Sequence, residues 1–217
     1  MAQQYANPVT LENLRIRIDH LFKRLAKHGK QSEGVWDFHN NLYCRLEEHR
    51  GRGLDHEFWN FLVDELAKWR AIRGRPEHTK RAIRDAGLKL LPDLKYCFYR
   101  LAGKVTNELP TIETLVWSDV EPLFEVAAQI KKVSSPMFAS KLCHFLVPSA
   151  YFVTDGELVK PEWNEYRHYW ENCQASWLAQ SEKEALKNAL LMRMPVNCIP
   201  CSTYPWQTKI TELCQFK

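Results

Sequence analysis

Apolar residues recur at helical spacing along most of this chain, and no convincing stretch alternates as a β-strand would. The first run has Leu, Ile or Phe at positions 11, 14, 18, 21, 22 and 25, between Thr10 and Gly29. A period near 3.6 residues places such side chains on one face of a helix. The sequence therefore predicts an all-α fold, a multi-helix globular bundle, with 150–154 as the best candidate for a short extended piece.

Proline, glycine and capping residues divide this pattern into separate helices. We predict that Pro76 opens a short basic helix that Gly87 ends, and that Pro92 and Pro122 each lie in a first helical turn. A further helix is expected to begin at Pro110 and Thr111. Ser181 and Glu184 have the spacing of a capping box. The main predicted helices cover about 10–28, 32–49, 55–72, 76–85, 88–102, 118–132, 138–146, 161–180, 181–194 and 206–215.

The length of the chain, 217 residues, predicts a single all-helical domain over 1–217. The pattern also allows two helical lobes, about 1–104 and 105–217, flanking a cleft. The first ten residues lack a hydrophobic signal core, and no apolar run reaches the roughly 18 residues of a membrane span. We therefore expect a cytoplasmic protein without a membrane partner. The oligomeric state stays open, with a monomer favoured.

Basic residues are concentrated between positions 68 and 89, where only Glu77 and Asp85 oppose them. Such a cluster can supply phosphate contacts that do not depend on base sequence. It can equally be the solvated face of a helix. The candidate DNA-binding residues from this cluster are Arg73, Arg75, Lys80, Arg81 and Arg84.

A tight Ser/Pro segment follows the predicted helix that ends near Val133. We predict a helix-hairpin-helix element here, in which backbone N–H groups at the hairpin and the next helix N-terminus hold a phosphate. The hydroxyl groups of Ser134, Ser135 and Ser140 are candidate further donors. An ordinary corner between two helices would have the same spacing.

Two ionisable residues near this segment are candidates for catalysis. Asp155 precedes a predicted helix, where it could cap that helix or, facing a cleft, stabilise positive charge on a sugar. Lys141 lies in the short helix after the hairpin. Its amine could attack a sugar carbon to form a Schiff base, contact phosphate, or simply lie at the surface.

Aromatic residues surround Asp155 in the sequence. Tyr151 precedes it, and Trp163, Tyr166 and Trp170 follow at helical spacing, together with Tyr169. Core packing is one explanation for these residues. The other is a base pocket, because an extruded base needs aromatic surfaces on which to stack. Tyr151, Trp163, Tyr166 and Trp170 are therefore the candidate pocket residues.

The cysteines give little support for a bound metal. Cys198 and Cys201 form a single C-x-x-C, and Cys173 and Cys214 lie at irregular distances from it. A structural zinc or iron–sulfur site needs four ligands, and a buried cysteine is common in a helical core. We expect no metal and no other cofactor. Seven cysteines, an odd number in a reducing compartment, also argue against a disulfide framework.

Residues 118–159 resemble the helix-hairpin-helix DNA glycosylase superfamily, including its 8-oxoguanine-glycosylase-like members. The order is the same: a helix, a hairpin, a helix with Lys141, a short hydrophobic loop, and Asp155 opening the next helix. Residues 204–214 look like the closing helix of bacterial proteins of this type. The resemblance implies that Asp155 is the shared catalytic carboxylate and that Lys141 stands where bifunctional members carry their nucleophile.

The resemblance implies an enzyme that binds double-stranded DNA, flips out a damaged or modified base and hydrolyses its N-glycosidic bond, with lyase activity if Lys141 is the nucleophile. Base excision repair or defence against phage with modified DNA would be its setting. Two other functions stay open from the residues alone. One is a non-catalytic DNA-binding protein that keeps the hairpin fold, and the other is a helical protein-interaction module.

Overall fold

A computed structural model of the protein describes residues 7–27, 32–72, 79–103, 109–131, 136–154, 166–194 and 199–215. Within these ranges the chain forms helices joined by turns and irregular segments, and it contains no β-strand. The prediction of an all-α fold is confirmed. The helices are α1 (Leu11–Lys27), α2 (Ser32–Arg52), α3 (His56–Lys68), α4 (Lys80–Lys89), α5 (Leu91–Ala102), α6 (Trp117–Ile130), α7 (Met137–Leu146), α8 (Tyr166–Leu178), α9 (Lys183–Leu191) and α10 (Trp206–Cys214).

Short polar side chains fix several helix starts. The side chains of Thr10, Asp55 and Thr79 accept hydrogen bonds from the backbone N–H three residues later, at the starts of α1, α3 and α4. These bonds satisfy N–H groups that have no partner inside the helix. Pro92 lies in the first turn of α5, where its missing N–H costs nothing, so that prediction is confirmed.

The basic helix differs from its prediction at both ends. α4 begins at Lys80, after the Thr79 cap, and it continues through Gly87 to Lys89. Gly87 does not end the helix, because its missing side chain makes room for another residue. A Cβ built at Gly87 would lie 1.8 Å from a ring carbon of Trp59, which is fully buried on α3. Glycine therefore allows α4 to pack closely against α3.

Three other local predictions are wrong. Pro122 lies inside α6, beyond its first turn. The chain after Pro110 forms a turn, closed by the bond from Thr114 N to Thr111 O at 3.1 Å, and not a helix. The neighbouring Ile112 N donates to Ser149 O at 3.0 Å, which holds this turn against another part of the core. The capping box at Ser181 is also absent, because α9 begins at Lys183 and no side chain caps it.

α7 is the central helix of the molecule. Every residue from Phe138 to Leu146 is buried, and the helix packs against α2, α3 and α6. A helix that is buried on all sides must satisfy its polar side chains internally. The irregular segment 147–154, which we call the anchored segment, follows α7 and is buried along its whole length. These two pieces form the middle of one continuous hydrophobic cluster.

The beginning and the end of the described chain meet. α1 packs against α9 and α10, and Asn7 N donates to the Gln215 side chain at 2.6 Å. The division into lobes near residue 104 stays a prediction. None of the helices described is both long enough and apolar enough to cross a bilayer.

Candidate functional site

The anchored segment carries backbone polar groups into the core without the hydrogen bonds of a helix. Side chains of α8 satisfy several of them. Tyr166 Oη donates to Phe152 O at 2.8 Å, and Trp170 Nε1 donates to Ala150 O at 2.8 Å. A buried carbonyl without a partner would be costly. The aromatic residues of α8 therefore hold this irregular segment in one conformation.

The end of the anchored segment is fixed by two different helices. Val153 N donates to Glu212 Oε1 of α10 at 2.8 Å, and Thr154 N donates to Ser140 Oγ of α7 at 3.1 Å. The Ser140 and Thr154 hydroxyl oxygens are also 3.2 Å apart. Ser140 and Thr154 immediately precede Lys141 and Asp155 in the sequence. The fold thus joins two positions that are 14 residues apart.

Lys141 lies inside the protein with only 2% of its surface exposed. Its ammonium group donates to Trp69 O at 3.1 Å, at the C-terminal end of α3. Lys131 binds the same end of that helix, through Ala71 O at 2.8 Å. Carbonyl groups at a helix C-terminus carry partial negative charge and attract cations. In this structure Lys141 therefore stabilises the end of α3.

Asp155, the candidate catalytic carboxylate, lies outside the described residues, as do Trp163, Ser134 and Ser135. Their predicted roles stay predictions. Arg73 and Arg75 of the basic cluster also lie outside the described residues. Asp155 follows Thr154, whose backbone and side chain are both held by Ser140.

The described part of the basic cluster is largely paired with carboxylates. Lys80 Nζ lies 2.6 Å from Asp64 Oδ1, and Arg84 Nη2 lies 3.5 Å from the same oxygen. The hydrogen bond from Lys80 holds the pKa of Asp64 below its usual value. Arg81 is the most exposed of the three, with 92% of its side chain accessible and a contact of 3.9 Å to Asp85. Lys80 and Arg84 thus share one carboxylate of α3, whereas Arg81 lies mostly in solvent.

Ser140 is not available as a DNA contact in this structure, because it is fully buried and its hydroxyl bonds Met137 O and Thr154. Tyr151 and Trp170 are likewise inside the core and do not form an open wall. The Tyr151 hydroxyl donates to Val120 O at 2.7 Å, which ties the anchored segment to α6. Burial raises the pKa of Tyr151 well above its usual value.

Tyr166, the fourth pocket candidate, is buried but borders a cavity between α6 and the start of α8. Its ring stacks on Phe124 with a centroid distance of 4.2 Å, and Trp117 meets it edge-on at 5.8 Å. The cavity measures about 600 Å³, within the range of small-ligand pockets. Its lining consists of Trp117, Glu121, Phe124, Glu125, Ala128, Gln129, Tyr166 and Arg167.

A buried polar cluster beside the anchored segment was not expected from the sequence. It consists of Tyr43, His144, Lys209 and Glu212. His144 Nδ1 is 2.8 Å from Tyr151 O, and a carbonyl can only accept, so the proton is assigned to Nδ1. Tyr43 Oη then donates to His144 Nε2 at 2.6 Å. Burial lowers the pKa of His144 and favours this neutral imidazole.

Glu212 is the acidic member of this cluster. Its Oε1 atom accepts the bond from Val153 N and lies 3.5 Å from His144 Nδ1. Its Oε2 atom lies 3.4 Å from Lys209 Nζ, which also sits 5.7 Å from the centre of the Trp69 ring. The sequence signal for this cluster was spacing. His144 follows Lys141 by one helical turn, and Glu212 follows Lys209 by one helical turn.

The cysteines show no metal-binding geometry where they are described. No group of three His, Cys, Asp or Glu residues in that part of the chain could hold a metal ion. Cys198 lies outside the described residues, and Cys201 is half-buried. Burial raises the pKa of Cys214 to about 12 and that of Cys173 further, so both thiols are protonated core groups.

No protein-family model, curated protein or solved structure matches this chain.

Proposed function

We propose that the protein is a DNA glycosylase-like enzyme that flips out a damaged or modified base and hydrolyses its N-glycosidic bond. One observation carries the proposal. Ser140 and Thr154 are hydrogen-bonded, and they immediately precede Lys141 and Asp155. A fixed contact thus joins the two positions that directly precede the candidate catalytic residues, although these positions are distant in the sequence. Such fixed geometry is what positioning of reacting groups requires.

In the proposed reaction, Asp155 acts on the sugar. The bond between C1′ and the base breaks, the base leaves with the electron pair, and positive charge develops on the sugar. The Asp155 carboxylate stabilises that charge and accepts a proton from water as the water oxygen bonds to C1′. The departing base takes up a proton from solvent. The products are a free base and an abasic site.

Lys141 is proposed to support this reaction without forming a covalent bond. The Lys141 amine is buried and donates to Trp69 O at the end of α3. Attack on a sugar carbon would require it to leave that carbonyl and reach the DNA. The hydrolytic mechanism is therefore preferred over a lyase mechanism.

The substrate is proposed to be double-stranded DNA held by α4 and the serine hairpin. Arg81 is accessible for a phosphate contact, and Lys80 and Arg84 would exchange Asp64 for phosphate. The hairpin residues Ser134 and Ser135 are proposed as further donors. The cavity beside Tyr166 is proposed to receive the extruded base, because Trp117 and Phe124 supply aromatic surface and Gln129 supplies a hydrogen-bonding group.

The test is release of a base from synthetic duplexes, each carrying one modified base, detected by strand cleavage in alkali. The wild-type protein should create abasic sites in at least one duplex. Asp155→Asn should lower the rate by on the order of 100-fold or more, while the circular dichroism spectrum is unchanged. Asp93→Asn is the matched control, since Asp93 is an exposed acid in the first turn of another helix. Full activity of Asp155→Asn would show that the site is assigned wrongly.

Borohydride trapping tests the role of Lys141. We expect no covalent adduct between active enzyme and DNA, as hydrolysis by water requires. An adduct that Lys141→Ala abolishes and Lys131→Ala retains would instead identify Lys141 as a nucleophile. Binding of DNA that weakens with salt, without release of any base, would favour a non-catalytic DNA-binding protein. A protein with no DNA affinity at low salt would favour an interaction module.

A further inference from the structure

We propose that Glu212 is a positioning residue, which fixes the chain leading into Asp155 relative to α7. This inference rests on the proposed function. It concerns a residue that lies far from 118–159 in the sequence and outside the pattern on which the functional proposal was based. Only the fold brings α10 to the end of the anchored segment.

Side chains hold two consecutive amides at the end of the anchored segment. Val153 N–H is held by Glu212 from α10, and Thr154 N–H is held by Ser140 from α7. Two neighbouring peptide groups are thus bonded to side chains of two different helices. Each bond removes one direction of movement, so together they fix the path of the chain as it reaches Asp155.

Glu212 is a buried carboxylate. Such a group is costly unless it is paired and fully hydrogen-bonded, and apolar residues often fill such a space equally well. Lys209 Nζ lies beside one oxygen of Glu212, and Val153 N–H donates to the other. Both of these neighbours are donors. An acceptor at both oxygens is therefore what the surroundings require.

This requirement predicts that the amide of glutamine cannot replace the carboxylate. In Glu212→Gln one oxygen becomes an NH2 group, which would face either the Lys209 ammonium or the Val153 N–H group. Either orientation sets donor against donor in a dry site. Replacing Lys209 by Met as well removes one set of donors, so glutamine can then keep its oxygen on Val153 N–H.

The experiment compares Glu212→Gln, Lys209→Met and the double variant Glu212→Gln/Lys209→Met with wild type under single-turnover conditions. The substrate is the duplex from which wild type releases its base fastest. Glu212→Gln should lower the rate of base release by on the order of 100-fold with unchanged DNA affinity, because the reacting groups are misplaced. The double variant should recover most of that loss. Glu48→Gln, which removes an exposed ion pair with Arg52, is the control.

Hydrogen exchange of individual amides, measured by NMR, separates this inference from the proposed function. Glu212→Gln should speed exchange at Val153 and Thr154 while α6 and α8 stay protected. An unchanged rate of base release in Glu212→Gln, or a loss that matches the fraction unfolded, would overturn the inference. If wild type releases no base, the proposed function fails. The role of Glu212 in positioning the chain is then supported by selective exchange at Val153 and overturned by full protection there.

Discussion

Replacing Gly87 by alanine should destabilise the protein, although alanine is normally the better helix residue. Gly87 lies inside α4, where alanine alone would favour the helix by about 0.8–1.0 kcal/mol. The new methyl group, however, would lie 1.8 Å from Cζ2 and 2.3 Å from Cε2 of Trp59. Carbon atoms in favourable contact are about 3.5–4.0 Å apart. Either the ring or the whole of α4 must therefore move.

Trp59 has little freedom to move. It is fully buried, and its Nε1 donates to Arg84 O at 3.0 Å, one turn before Gly87 on the same helix. Overpacking of a well-packed core costs about 1–3 kcal/mol, and this site should lie near the upper end. Subtracting the gain in helix propensity leaves a net loss of about 2 kcal/mol in the free energy of unfolding. For a chain of this size, that corresponds to about 4–8 °C in Tm.

The assay is urea-induced unfolding followed by far-UV circular dichroism, with thermal melting as a second measurement. Gly51→Ala is the matched control, because Gly51 lies in α2 and a Cβ there meets nothing within 4 Å. It should raise the free energy of unfolding by about 0.4–1 kcal/mol. The two glycine-to-alanine changes should thus have opposite signs. A Gly87→Ala protein as stable as wild type would refute the close packing of α4 on Trp59.

Two further predictions concern hydrogen-bonded side chains. Lys183 Nζ and Trp177 Nε1 donate hydrogen bonds to the Glu113 carboxylate, and these bonds lower the pKa of Glu113 from 4.5. The stabilisation from these bonds is therefore fully present above pH 4.5, and it is lost as the pH falls through the lowered pKa of the folded protein. Glu113→Gln should therefore lower the free energy of unfolding in urea by about 0.5 kcal/mol at neutral pH and leave it unchanged in acid. An equal loss at the two pH values would contradict this prediction. Tyr43→Phe and His144→Phe should each cost about 1–3 kcal/mol, because each leaves a buried polar atom without its partner. In urea unfolding, the double variant should lose at least about 0.5 kcal/mol less than the sum, whereas strict additivity would show that the two groups do not interact.

α4 illustrates what could be predicted locally and what could not. Its basic residues are readable from the sequence, but its start is not, because the pattern predicts Pro76 in the first turn and Thr79 caps the helix instead. The sequence also predicts a helix end at Gly87, since glycine is a poor helix former on average. The residue that overrides this average, Trp59, lies 28 positions earlier, on the helix against which α4 packs. No local pattern contains that contact.

The candidate site shows the same division. The sequence drew attention to Lys141 and to the aromatic residues of α8, yet their environments came from the fold. Lys141 reaches the end of α3, and Tyr166 and Trp170 hold carbonyl groups of the anchored segment. Glu212 had no motif to distinguish it. Its importance follows only from the donors that surround it.

By itself, the sequence of this protein determined that the chain is helical and where most of its helices lie. These features follow from hydrophobic periodicity, which is a local property. Only the tertiary structure decided which polar groups share the core and which hydrogen bonds they make. A buried polar group must find a partner wherever the fold provides one. For Val153 that partner is Glu212, 59 residues further along the chain.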